Sequence, residues 1–238
     1  MEAQESTEIV RVSNWHLTRL FFVNPRQAFL ELADTPRFAL PFFLLILGRV
    51  AQVHWYFSAV DIDWLKQQLL NTMTQPERQQ RALNLSMITR DTLDVSACLS
   101  AVVSAGLVVL CCTLYLYVVD KILRSEHSFG QWFAFSSWSS LPQILGLIPQ
   151  YIAMGLLDLT HEDANSLSPL SMNAVFFQLE PADPAYRLLS NLTLLTFAQL
   201  VFAAVGLQVW YKKSFPVSLA IAAAPALVLY GAWALYIF

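Results

Sequence analysis

Apolar residues in this chain gather in blocks of span length, separated by short polar stretches. Five blocks approach the ~20 residues that a helix needs to cross the hydrocarbon of a bilayer. They cover about 38–60, 94–119, 130–157, 188–210 and 216–237. A helix satisfies its own backbone donors and acceptors, which lipid cannot do. The pattern therefore predicts an all-α integral membrane bundle of five transmembrane helices with short interfacial helices. An odd number of crossings puts the two termini on opposite sides.

The stretches between the blocks also carry helix signals. In "NPRQAFLELAD", Asn24 is a candidate N-cap and Pro25 stands at the first helical position, where its missing N–H does no harm. Phe29, Leu30 and Leu32 give that helix an apolar side suited to the membrane interface. A second start is expected at Thr35-Pro36, leading into the first span. Trp64, Leu65, Leu69 and Leu70 recur at helical spacing, and a further helix from Pro76 is expected to run on into the second span. With no internal repeat or linker, residues 1–37 read as a cytoplasmic segment and 38–238 as one five-span membrane domain.

Composition agrees with the blocks. Of 238 residues, 56% are hydrophobic and 13% charged, against roughly 25% charged in soluble domains. The net charge of -3 offers no basic field for nucleic acid. The opening residues lack the pattern of a cleaved signal peptide, so the first block is expected to stay as a span.

Charge sets the expected orientation, because Lys and Arg favour the cytoplasmic side. Arg11, Arg19, Arg26 and Arg37 precede the first span, Lys121 and Arg124 follow the second, and Lys212 and Lys213 follow the fourth. These coincide on one side if the N-terminus is cytoplasmic. The 158–186 loop carries Asp158, Glu162, Asp163, Glu180 and Asp183 without Lys or Arg, and reads as outside. Lys66, Arg78, Arg81 and Arg90 in the 61–93 loop pull the other way.

Between membrane helices, close packing favours small residues. Ser96, Ser100 and Ser104 stand four apart on one face of the second span, with Ala97, Ala101 and Ala105 beside them. Ala220 and Ala224 in the fifth span, and Ser136, Ser140 and Gly146 in the third, offer similar contacts. The reading is packing within the chain, a polar path being the alternative. Pro142 and Pro149 each remove a helical hydrogen bond, so the third span is expected to kink or break near Pro142, with Ser139 and Ser140 serving the freed Trp138 carbonyl. Pro225 is expected to kink the fifth span.

Arg49 sits near the middle of the first block, where a charge costs roughly 2.5–3.5 kcal/mol. Gln52 and Tyr56 share its face, and Asp94, Asn191 and Gln199 are the candidate partners for an intramembrane polar site. Two roles compete, a helix-register contact and a site for an anionic ligand or lipid head group. His16, His54, His127 and His161 are scattered and read as structural. Cys98, Cys111 and Cys112 read as small packing residues without metal-ligand spacing. No catalytic, cofactor or metal motif appears, so neither enzyme chemistry nor a cofactor is expected.

The stretches "HSFGQWFAFSSWSSLPQILGLI", "NSLSPLSMNAVF", "QPERQQRALNL", and "FAQLVFAAVGLQVW" with the basic link and small-residue span that follow form a pattern over most of the chain. In these stretches the chain resembles the Yip family, the Ypt/Rab-interacting membrane proteins, and its bacterial branch in particular. The resemblance implies five spans and a cytoplasmic N-terminus. Eukaryotic relatives contact small GTPases through a longer N-terminal region and show an Asp-Leu-Tyr-Gly-Pro motif. This chain has 37 residues ahead of its first block and lacks the motif, which argues against a small GTPase as partner and for a bacterial inner membrane.

The expected function is a non-enzymatic scaffold, assembly factor or accessory subunit of a membrane complex. The expected partners are the lipid bilayer and either another membrane protein or a second copy of the chain. The alternative is a small transporter or lipid-handling protein that uses the polar residues around Arg49.

Overall fold

The computed structural model describes residues 13–71, 85 and 87–237. Among them the chain is helical, apart from one isolated antiparallel bridge between Ser171 and Thr193. Ten α-helices follow in order: α1 (Asn14–Val23), α2 (Pro25–Asp34), α3 (Ala39–Ala59), α4 (Ile62–Asn71), α5 (Arg90–Leu123), α6 (Phe129–Ser139), α7 (Leu141–Leu156), α8 (Tyr186–Asn191), α9 (Leu194–Tyr211) and α10 (Phe215–Ile237). Four of these, α3, α5, α9 and α10, are long and apolar enough to cross a membrane.

The third expected span arrives as two helices, α6 and α7. The chain breaks at Ser140, two residues before Pro142, which occupies the first turn of α7 where no N–H is required. The Trp138 carbonyl is served by the backbone N–H of Ser140 and not by the serine hydroxyls. Ser137 Oγ donates to the Phe133 carbonyl at 2.8 Å, and Ser140 Oγ to that of Ser136 at 3.1 Å. Together α6 and α7 run beside α3 from end to end. Phe133 meets Phe38 at the start of α3, and Met154 packs with Tyr56 and Val60 at its close. Pro149 and Pro225 lie inside continuous helices, α7 and α10.

The starts are set locally. Asn24 closes α1 and caps α2, accepting from Gln27 N–H at 3.2 Å, with Pro25 behind it as expected. Thr35, expected to open the first span, instead closes α2, and α3 begins after Phe38 without a side-chain cap. Thr89 caps α5, so the second long helix starts at Arg90 and does not continue from the Pro76 region, which lies outside the described residues. The fourth expected span starts at Leu194 as α9, with Tyr186–Asn191 set apart as α8.

Two buried clusters hold the bundle. One lies at the end where the N-terminal helices sit and is mostly aromatic: Phe21, Phe29, Trp132, Phe135, Trp138 and Trp210 pack with Leu17, Leu32 and Leu207. The apolar face of α2 packs on protein, while its Leu30 stays exposed. Its Ala28, Phe29 and Leu32 are fully buried against α6 and α9, and Trp210 Nε1 donates to the Phe29 carbonyl at 2.8 Å. The smaller cluster, at the distal end, joins Tyr56, Val60 and Ile62 to Met154, Leu159 and Leu167.

Candidate functional site

Arg49 lies where α3 crosses α7. This crossing is close because Gly48 has no side chain, and a Cβ there would collide with Leu147. Tyr151 Oη donates to the Gly48 carbonyl at 2.7 Å. Beside that contact Arg49 Nη1 donates to Gln52 Oε1 and to Gln150 Oε1, each at 3.1 Å. Gln150, buried on α7, passes the chain on through Nε2 to Ser168 Oγ at 3.4 Å. A polar thread therefore runs from the first span to the distal loop. Gln150 carries it, a residue that the sequence reading did not single out. The signal was present, since Gln150 interrupts the apolar run of α7 well inside the helix, where the other amide, Gln143, stands in its first turn.

The other residues expected around Arg49 are dispersed. Tyr56 Oη donates to the Glu162 carbonyl at 2.9 Å and so closes the distal cluster. Asp94 pairs with His54, its Oδ2 lying 2.7 Å from Nδ1. Asn191 Nδ2 donates to its own helix at the Arg187 carbonyl, while Tyr230 reaches the Asn191 carbonyl at 3.4 Å. Gln199 is half-buried on α9. Gly146 marks another close crossing, where a Cβ would collide with Leu195 of α9.

The distal loop is ordered by its own side chains. Asn173, in a π-turn over Asn173–Phe177, accepts from Leu179 N–H at 2.8 Å and donates back to the Leu179 carbonyl. Backbone bonds from Met172 to Leu192 and from Leu194 to Leu170 join this loop to the start of α9. Between the loop and α4 opens a cavity of about 430 Å³, walled by Trp64, Tyr186, Glu162 and Asp163. Burial, with Asp163 nearby, pushes the Tyr186 hydroxyl up.

A second polar centre lies at the N-terminal end and was not foreseen. Asp120, in the last turn of α5, is 0% exposed. His127 Nδ1 lies 3.0 Å from its Oδ1, and Lys121 Nζ lies 3.8 Å from its Oδ2. The His127 ring stacks on Trp210 at 4.7 Å and 12°, and meets Trp132 edge-on at 5.5 Å. The link between the two residues turns through left-handed backbone at Arg124 and Glu126. His127 serves one oxygen of the buried carboxylate, while Oδ2 has no hydrogen-bond partner among the described residues and only the Lys121 ammonium near it.

The small-residue stripe of α5 points outward. Ser96, Ser100 and Ser104 are exposed, and each hydroxyl bonds back to its own helix, at the carbonyls of Leu93, Ser96 and Ala101. The expected packing within the chain is not made by these serines. On α10, Ala220 is exposed and Ala224 half-buried. By contrast Ser136 of α6 and Ser140 at the break that follows it are buried.

No curated protein and no solved structure matches this chain. The family model described as the Yip1 domain matches residues 19–236, which takes in the second half of α1, the broken pair α6–α7 and all four long helices but for the last residue of α10. The chain belongs to the Yip1 domain family.

Proposed function

We propose that this protein is a non-enzymatic scaffold or accessory subunit of a membrane complex. It sits in a bacterial inner membrane with its N-terminus cytoplasmic and its C-terminus on the far side, α6 and α7 together making the fifth crossing. The observation that carries the reading is the outward stripe Ser96, Ser100 and Ser104. The hydroxyls are satisfied within α5, so the face is small and flat and lets another helix approach closely. Arg49, by contrast, bonds two glutamines at a tight helix crossing, which favours a register contact over a ligand site.

The orientation rests on Arg19, Arg26, Arg37, Lys121, Arg124, Lys212 and Lys213, which belong to elements meeting at the N-terminal end. Cysteines placed at Ser168 and Ser214 test it with an impermeant reagent. Labelling at position 168 alone is expected, and labelling at 214 from outside reverses the orientation.

The functional test is gentle extraction from the native membrane, with native mass and identification of what co-purifies. A stoichiometric membrane partner is expected, and Ser100→Leu is expected to release it without loss of fold. A monomer with bound lipid, indifferent to Ser100→Leu, would overturn the reading and favour transport or lipid handling around Arg49.

A further inference from the structure

The distal ends of α3 and α5 bring three different donor side chains together. His54 comes from α3, and Asp94 and Cys98 from successive turns of α5. His54 Nδ1 lies 2.7 Å from Asp94 Oδ2, Cys98 Sγ lies 3.4 Å from Asp94 Oδ1, and the donor atoms all lie within 4.8 Å of one another. A tetrahedral zinc ion with ordinary bond lengths places its ligands roughly 3.3–3.6 Å apart. The donor separations, from 2.7 Å to at most 4.8 Å, differ from that spacing by about 1.2 Å or less, a distance that the side chains can share.

The frame around them is fixed. Arg90, at the start of α5, donates through Nη1 to the Phe57 and Ser58 carbonyls at the end of α3, at 2.5 and 3.1 Å. The His54 side chain is 66% exposed, which leaves one side of the cluster open for a fourth ligand. Thiolate, imidazole and carboxylate together suit Zn²⁺ or Co²⁺ and disfavour Mg²⁺ and Ca²⁺, which prefer all-oxygen shells.

We propose that His54, Asp94 and Cys98 form a divalent-metal site of the zinc class that fastens α3 to α5 at the distal face. Binding replaces the thiol proton: Cys98–SH and M²⁺ give Cys98–S–M⁺ and one proton released to solvent. The thiolate and the carboxylate balance the charge of the ion. Metal-motif spacing could not reveal the site, because His54 lies 40 residues from Asp94 along the chain.

The test uses the full-length protein in detergent, stripped with chelator, with Cys111→Ser and Cys112→Ser so that Cys98 is the only thiol. Cobalt titration is expected to give one equivalent of bound metal, a thiolate-to-cobalt charge-transfer band and visible bands of tetrahedral intensity, all displaced by zinc. Cys98→Ser should abolish the charge-transfer band. His54→Ala and Asp94→Asn should each weaken binding at least about tenfold, since even outer-shell changes cost that much. A second readout needs no change to a ligand: saturating zinc should slow maleimide labelling of Cys98 at least about tenfold, because the metal removes the free thiolate. Sub-stoichiometric cobalt without the band, a band that survives Cys98→Ser, or labelling indifferent to zinc would each overturn the proposal.

Discussion

Changing His127 to alanine removes a hydrogen bond and a ring stack from one buried carboxylate. Asp120 is fully buried, His127 Nδ1 lies 3.0 Å from it, and the imidazole stacks on Trp210 at 4.7 Å. A hydrogen bond to a charged acceptor contributes about 1.5–3 kcal/mol. An aromatic pair adds about 0.5–1.5 kcal/mol. The expected loss is about 3–4 kcal/mol, in line with breaking a buried pair by removing one partner. Lys121, at 3.8 Å and half-exposed, offsets little of it. Asp120→Asn keeps an acceptor of the same shape and should cost only about 1 kcal/mol. In an Asp120→Leu background no carboxylate is left behind, so His127→Ala should cost only its stacking, about 1 kcal/mol. The coupling between the two positions is therefore about 2–3 kcal/mol. Unfolding in mixed micelles of rising SDS fraction, followed by tryptophan fluorescence, measures it, with Trp132 and Trp210 reporting from the site itself. If His127→Ala costs the same in both backgrounds, the pair is not what holds this end together.

Three further outcomes follow from the geometry. Arg49→Leu should lower stability in the same titration by about 1–2 kcal/mol, because buried Gln150 loses its partner, and Gln150→Leu in that background should recover most of it; a full loss that persists in the double variant refutes the pairing. Gly206→Ala would set a Cβ 2.6 Å from Phe135 and 2.8 Å from Phe29, both fully buried, so overpacking of about 1–3 kcal/mol outweighs the roughly 1 kcal/mol gained in helix propensity; in a background with Phe29→Leu and Phe135→Leu the added cost should vanish, and a cost that persists there refutes the clash. The Asp61 carboxylate accepts from Asp63 and Trp64 N–H at the head of α4, and the Trp64 and then Asp63 bonds hold it below the usual carboxylate range. Its folded value is depressed, so the stabilisation is complete above the ordinary carboxylate pKa and fades as pH falls through the folded one; protection of the α4 amides, corrected for the intrinsic pH dependence of exchange, should fall with it, and should not change with pH in Asp61→Asn.

What the sequence made legible follows from range. The spans are written in hydropathy, and the break in the third follows from a residue without an N–H. Its position at Ser140 reflects where Pro142 is tolerated, two residues into a new helix. The cap and proline at Asn24-Pro25 are local and were read correctly. Whether the apolar face of α2 meets lipid or protein is not local. Phe29 reads the same against either, and only the tertiary fold brings Trp210 and Phe135 to it. α1 was missed although Ser13 and the spacing of Leu17 and Phe21 signal it. Asp120 and His127 are seven residues apart across a left-handed turn, a distance that no helical period encodes. Arg49 and Asp94, expected as partners, take Gln150 and His54, because His54 lies off the face of Arg49 and turns towards α5.

The last helix shows where stability should not reside. Only 6% of the most apolar stretch of α10 is buried, and Ser218 is its one fully covered residue. The Ser218 hydroxyl has no hydrogen-bond partner there. An unpaired buried hydroxyl costs about 1–3 kcal/mol, so Ser218→Ala should leave stability unchanged or raise it. Leu227, Val228 and Leu229 are exposed along the same helix. Lipid solvates any of the large aliphatic side chains equally well, so Val228→Leu should change SDS resistance by less than about 0.5 kcal/mol. By contrast, truncation of fully buried Leu207 of α9 to alanine should cost about 2–5 kcal/mol. A marked loss from Val228→Leu in native membranes but not in detergent would mean that this face is covered by another helix, and would mark α10 as a second contact surface beside the serine stripe of α5.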